Sequence, residues 1–238
     1  ELVRGVVEDL GYVSRLGARR LRSRRTQVLG ILVAEFEPFS TELLKGASRA
    51  LQETEYELLA YSVGRSGQQT AGWERRSLSQ LHGTLIDGAI LCTPTIVEVP
   101  PGVAVVAVDP HTGPTALPTV DSDNVGGAIA ATEYLIGLGH ERIAFIGGRD
   151  DLNSSLERER GYRRAMAAAG LPVADELVRM GDYARESSAD AVAELFAAED
   201  PPTAVFAAND VSAMGVLQAA AAAGLSVPDE VSVVGFDN

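Results

Sequence analysis

A chain of 238 residues with 46% hydrophobic and 22% charged residues holds enough apolar material for one large or two small globular units, which excludes a disordered chain. No apolar run reaches the roughly 18 residues that cross a bilayer, and the start lacks a basic-then-apolar leader, so a cytoplasmic protein with no membrane partner is expected. The formal net charge of −13 argues against a generally basic nucleic-acid binder and draws attention to any segment of opposite sign.

Such a segment stands near the start. Ser14 to Thr26 reads S-R-L-G-A-R-R-L-R-S-R-R-T, six arginines and no acid in thirteen residues. Residues 1 to 30 hold seven arginines against Glu1, Glu8 and Asp9, so they carry +4 and the remainder carries −17. A short cationic stretch on an acidic body suits a polyanion-binding arm, since phosphate affinity follows local cation density; composition alone equally allows a solvated charged linker. Before it, Val3, Val6, Val7 and Leu10 recur at helical spacing and Gly11 stops the pattern. A helix this short cannot bury its stripe alone, so upstream sequence is expected to be missing, as Glu1 in place of Met also suggests.

From Gln27 onward, short β-type runs alternate with helical patterns. The runs are Val28 to Ala34, Glu57 to Tyr61, Gly88 to Cys92, Val103 to Val108, Arg142 to Ile146, Leu177 to Met180, Thr203 to Ala208 and Val231 to Phe236. Helices are expected at Ser40 to Glu53, Ala71 to Leu81, Val125 to Leu138, Ser155 to Ala169, Ser187 to Ala198 and Val211 to Ala223. Near-continuous apolar runs separated by helices predict parallel strands buried on both faces, an α/β doubly wound fold. The pattern occurs twice, with an irregular Pro- and Gly-rich crossing from Pro110 to Pro118 and the polar piece Val120 to Asn124 between the halves. Two parallel-sheet lobes around a cleft are therefore expected: a headpiece remnant and basic segment over 1–26, a first lobe over 27–122 and a second over 123–238. Because the last run has no covering helix after it, the second lobe is expected to be incomplete.

In open parallel sheets, ligands bind beyond the carboxyl ends of the strands. The residues there include Glu35, Phe36, Ser62 to Arg65, Thr93, Asp109, Gly147 to Asp150, Asp182, Tyr183, Asn209, Asp210 and Asp237. Carboxylates, amides and arginine can pair with vicinal hydroxyls, and Phe39, Tyr183 and Phe236 can cover apolar ring faces, so a sugar fits this set. An Asp or Asn after a strand is also a common helix cap. Other chemistry is poorly supported. Cys92 has no disulfide partner and sits in an apolar run, His82, His111 and His140 have no metal-ligand spacing, and neither G-x-x-x-x-G-K-[ST], G-x-S-x-G nor G-x-G-x-x-G after a strand occurs. No metal, cofactor or catalytic activity is expected.

Several segments together resemble the LacI/GalR (lactose-repressor) family of transcription regulators. They are L-G-Y-V at 10 to 13, R-S-R-R-T-Q-V-L-G-I-L-V at 22 to 33, P-F-S-T-E-L-L-K-G-A at 38 to 47, V-D-S-D-N-V-G-G-A at 120 to 128 and L-G-H-E-R-I-A-F-I-G-G at 138 to 148. R-E-R-G-Y-R-R-A-M at 158 to 166, A-V-F-A-A-N-D-V-S-A-M-G at 204 to 215 and V-P-D-E-V-S-V-V-G-F-D-N at 227 to 238 complete the series. The resemblance implies a periplasmic-binding-protein-like (type I) effector domain, with Val3 to Leu10 as the remnant of a helix-turn-helix headpiece. It makes Ser14 to Thr26 a hinge helix for the operator minor groove, with Leu21 as the wedge, Ala18 beside it, and Arg15, Arg19 and Arg22 among the DNA contacts. It further implies effector binding by Arg158, Tyr183, Asn209 and Asp237, and, in the first lobe, by Phe39, Ser40, Arg65 and Asp109. Asp123 and Asn124 match a structural hinge constellation. The partners implied are operator DNA, a small sugar-like effector and a second copy in a homodimer. The competing reading is a transport-type sugar-binding protein, which has no use for an arginine-rich arm.

Overall fold

The computed structural model describes residues 25–63, 72–95, 99–113 and 115–237. The short helix at Val3 to Leu10 and the basic segment up to residue 24 lie outside them. The described chain forms two compact units. The first runs to Pro110 and resumes before Val120; the second takes His111–Gly113 and everything from Asp121.

In the first unit, β1 (Val28–Val33), β2 (Glu57–Ser62), β3 (Gly88–Cys92), β4 (Ala104–Val108) and β5 (Thr119–Val120) form one sheet in the order β2-β1-β3-β4-β5. Every pairing is parallel, as continuous apolar runs predict. Alternate residues of β1 serve opposite faces. Leu32 packs with Trp73, Leu78 and Leu81 of α2 (Trp73–Leu81), while Ile31 and Val33 meet Leu43 and Leu44 of α1 (Pro38–Leu51). The two-residue strand β5 lies where only an irregular crossing was expected. Its tie is backbone pairing to Ala107 and Val108, not a hydrophobic run.

The second unit repeats the plan with β6 (Ile143–Gly147), β7 (Val178–Met180), β8 (Ala204–Ala207) and β9 (Ser232–Val234), again all parallel, in the order β7-β6-β8-β9. On one face Ile143, Phe145, Ala204 and Phe206 pack with Tyr162 and Met166 of α4 (Asn153–Ala168) and with Leu135 of α3 (Asn124–Gly137). On the other, Ala144, Ile146, Val205 and Ala207 pack with Val192 and Leu195 of α5 (Arg185–Phe196) and Val216 of α6 (Asp210–Ala223). The buried Tyr162 hydroxyl donates to the Ile143 carbonyl at 2.7 Å, so the one polar atom of that ring is satisfied. A single 3-10 turn, Asp175–Leu177, takes up the start of the run expected to be strand and leaves three residues for β7.

Both sheets reverse their strand order beside the first strand, between β1 and β3 and between β6 and β8. At such a switch point the chain departs to opposite sides and leaves a crevice beyond the carboxyl ends of the two strands. Backbone strain gathers on the same edges. Of six non-glycine residues with left-handed φ among the described residues, Thr93, Asp109, Asp182, Tyr183 and Asp237 all follow a strand's carboxyl end. Each such residue costs about 1–3 kcal/mol and persists only where its surroundings hold it.

Candidate functional site

The second unit builds a polar cluster at its switch point, around Arg158. Position 158 lies in the second turn of α4 on the face turned inward, and the side chain is 7% exposed. A guanidinium so deeply placed needs acceptors, and three are present. Its Nε–H donates to Asn124 Oδ1 at 2.9 Å, Nη1–H donates to the Ala208 carbonyl just beyond β8, and Nη2 lies 3.3 Å from Asp237 Oδ1. The Phe236 ring centroid is 3.8 Å from the guanidinium carbon and that of Tyr183 is 5.7 Å away, so two π faces flank the cation.

Each neighbour has a local reason for its position. Asp123 caps α3 by accepting from Gly126 N–H at 2.8 Å, which starts the helix so that Asn124 is buried and turned toward α4. Asn209 caps α6 through Oδ1, which accepts from Ser212 N–H at 2.7 Å. The aromatic rings fit because their backing positions are glycine. A Cβ on Gly127 would stand 2.7 Å from Phe236, and one on Gly148 would stand 2.2 Å from Tyr183.

Asp237 keeps 41% of its side chain exposed. Partial burial is the largest influence on its carboxyl and raises its pKa; Arg158 opposes this, and the neighbouring charge of Asp210 adds to it. Proton affinity in the cluster therefore rises even beside a cation.

A guanidinium has five N–H groups. With three committed, two form no hydrogen bond among the described residues. Asn209, its oxygen taken by the cap, can offer its amide N–H groups, and Asp237 offers acceptor lone pairs. Two donors and one acceptor of this kind suit neighbouring hydroxyls. The set contains no nucleophile with a paired base.

Arg158, Tyr183 and Asp237 are thus brought together, and Asn209 stands one residue beyond the carbonyl that Arg158 holds. The first-unit candidates are arranged otherwise. Ser40 is buried and ties the start of α1, its hydroxyl accepting from Glu37 N–H at 2.8 Å. Phe39 beside it is 38% exposed. Asp109, half-buried with φ 47°, stands beyond β4, two strands across the sheet. Arg65 and the DNA-directed candidates Arg15, Ala18, Arg19, Leu21 and Arg22 lie outside the described residues. Sequence reasoning placed Asn124 in a structural constellation and missed its side chain as the acceptor that orients Arg158. Phe236, read as a cover for a ligand ring, has its ring against the guanidinium. Among the described residues no helix is long and apolar enough to cross a membrane, and no group of three or more His, Cys, Asp or Glu could hold a metal ion.

Two parallel α/β units, the second with a polar cluster at its strand exits, define a periplasmic-binding-protein-like fold. Residues 26–238 match the family described as periplasmic binding proteins and sugar binding domain of LacI family. The chain is 34% identical over 252 residues to the HTH-type transcriptional regulator CelR of Thermobifida fusca, covering 100% of this chain and 73% of the relative. It is also 34% identical over 246 residues to the ribose operon repressor of Escherichia coli K12, covering 99% and 73%. Among solved structures, the CelR–cellobiose complex superposes with a TM-score of 0.74 at 34% identity, covering 99% of this chain and 72% of that one. The Escherichia coli transcriptional repressor ascG superposes with a TM-score of 0.73 at 28% identity, covering 89% and 79%. The chain belongs to the LacI family.

Proposed function

We propose that the protein is a transcriptional repressor whose operator affinity is set by a small, sugar-like effector held at the Arg158 cluster. The observation that carries this reading is the buried guanidinium at the β6/β8 switch point, with two N–H groups to spare beside Asp237 and Asn209. Arg158 fixes one pair of ligand hydroxyls, Asp237 accepts from a third, and Tyr183 closes the apolar side. In the first unit the effector-binding candidates are Phe39, Ser40, Arg65 and Asp109. The protein works in the cytoplasm as a homodimer, without catalysis. Its arginine-rich segment docks on DNA with Leu21 wedged between base pairs and Ala18 beside it, while Arg15, Arg19 and Arg22 meet phosphates and the groove floor. That segment, and the regulators among the relatives, favour this reading over a transport-type binding protein.

The direct test is a thermal-shift screen of the full-length protein with neutral sugars, including cellobiose and ribose. A hundredfold excess over Kd is expected to stabilise the protein by about 2.7 kcal/mol. Arg158→Met should abolish the shift. A panel in which no sugar stabilises the wild type would reject the effector class. For the arm, Leu21→Ala is expected to weaken operator binding and leave the sugar response unchanged; wild-type operator affinity in that variant would reduce the segment to a linker.

A further inference from the structure

Outside the Arg158 cluster, one carboxylate gathers three donors from the two residues at the root of the basic segment. Asp87, the residue just before β3, accepts from Thr26 N–H at 2.6 Å, from the Thr26 hydroxyl at 2.8 Å and from Gln27 N–H at 2.9 Å. Two consecutive backbone amides can aim at one anion only if the chain curls there, and Gln27 does so, with φ 55°. Further bonds hold Gln27 and Val28. Gln27 Nε2–H donates to Glu55 at 2.8 Å, the Gln27 carbonyl accepts from Glu57 N–H at 2.9 Å, and Asp87 N–H donates to the Val28 carbonyl at 2.8 Å. Thr26 and Gln27 are thus clamped between the starts of β2 and β3. In sequence Thr26 is the last residue of the arginine-rich segment and Gln27 is the next.

We infer that Asp87 is the positioning residue through which the first unit holds the DNA-directed arm, setting the direction in which the arm leaves and thereby the operator affinity. The inference rests on the arm's DNA-binding role proposed above. A polycationic segment on a free tether binds DNA weakly and without defined register, because its orientation must be fixed at each encounter; a clamped root removes that loss. Asp87 also lies at one end of β3, whose other end is the strained exit residue Thr93. One buried strand therefore runs from the arm's root to the ligand-facing edge of the sheet.

The test uses the full-length protein and a palindromic duplex recovered by the wild type from a randomised pool. Fluorescence anisotropy should show Asp87→Asn and Asp87→Ala binding that duplex about tenfold more weakly or worse, as loss of charge-assisted bonds implies. Thr26→Val, which removes one donor, should fall between; Thr26→Ser, which keeps it, should match wild type. The melting temperature of the first unit should fall as well, because the same bonds stabilise the folded carboxylate, so affinities are compared at equal folded fraction. Wild-type affinity in a natively folded Asp87→Ala overturns the inference. So does a loss of affinity no larger than the loss of folded fraction. If Asp87→Ala does not fold, the comparison of Thr26→Val with Thr26→Ser decides: equal affinities overturn the inference. A wild type that recovers no duplex overturns the DNA-binding role itself.

Discussion

Asn124 and Arg158, 34 residues apart on α3 and α4, are both buried and share a bond of 2.9 Å from Arg158 Nε–H to Asn124 Oδ1. The bond fixes the guanidinium plane, and with it the direction of the remaining N–H groups. Asn124→Ala is expected to leave a buried charged donor unsatisfied, costing about 1–3 kcal/mol in urea unfolding. It should weaken sugar binding by more than that destabilisation alone explains. Isothermal titration with a sugar that stabilises the wild type checks the second part; unchanged affinity would remove Asn124 from any orienting role.

Why Arg158 could be singled out in the sequence and Asn124 could not is a matter of range. Parallel strands buried on both faces leave continuous apolar runs, so β1, β3, β6 and β8 were legible without any tertiary information. The strand β5 was not, because two residues, Thr119 and Val120, carry no periodicity and owe their state to β4. Arg158 stood out through the resemblance of its surrounding motif. Its acceptors arise from the packing of α3 on α4 and from a carbonyl fifty positions away, which no local pattern encodes. The Asp87 clamp spans 61 residues and was invisible for the same reason.

Tyr183 lies against the backbone at Gly148, where a Cβ would stand 2.2 Å from the ring. Gly148→Ala must displace that ring, since the neighbouring φ of 57° at Tyr183 leaves the backbone little room to yield. Overpacking of this kind costs about 1–3 kcal/mol. The melting temperature should fall, and sugar affinity should fall with it; Tyr183→Ala in the same background should recover stability and not affinity. A Gly148→Ala protein as stable as wild type would show that the ring moves freely.

Cys92, at the end of β3, is buried, and burial, with the charge of Asp109 nearby, pushes its thiol up to about 12. Near pH 8 the thiolate fraction is then on the order of one part in ten thousand, and the thiolate is the reactive form. Ellman's reagent is expected to leave the native protein unlabelled over minutes and to take up one equivalent in denaturant. Rapid labelling of the native protein would mean that the carboxyl edge of the first sheet opens readily.

Asp87 and Asp237 should drive stability in opposite directions with pH. At Asp87 partial burial works to raise the carboxyl, but the bonds from Thr26 and Gln27 and the charge of Arg25 outweigh it, and the folded pKa lies below the ordinary 3.8. The unfolded chain then binds more protons between the two values, so stability present above 3.8 is lost as pH falls through the depressed folded value. Asp151, lowered by its hydrogen bonds from Arg149, adds to the same acid limb. Asp237 has the reverse sign: its folded pKa is raised, so its carboxyl opposes folding progressively as pH rises from 3.8 through the raised value, and fully above it. Urea unfolding from about pH 2 to about pH 7 separates them, because neutral variants do not titrate. Asp87→Asn should flatten the curve below 3.8 and leave the upper part unchanged; Asp237→Asn should do the opposite, removing the decline above 3.8. If both variants kept the wild-type profile, neither the arm's root nor the Arg158 cluster would hold its carboxylate as described.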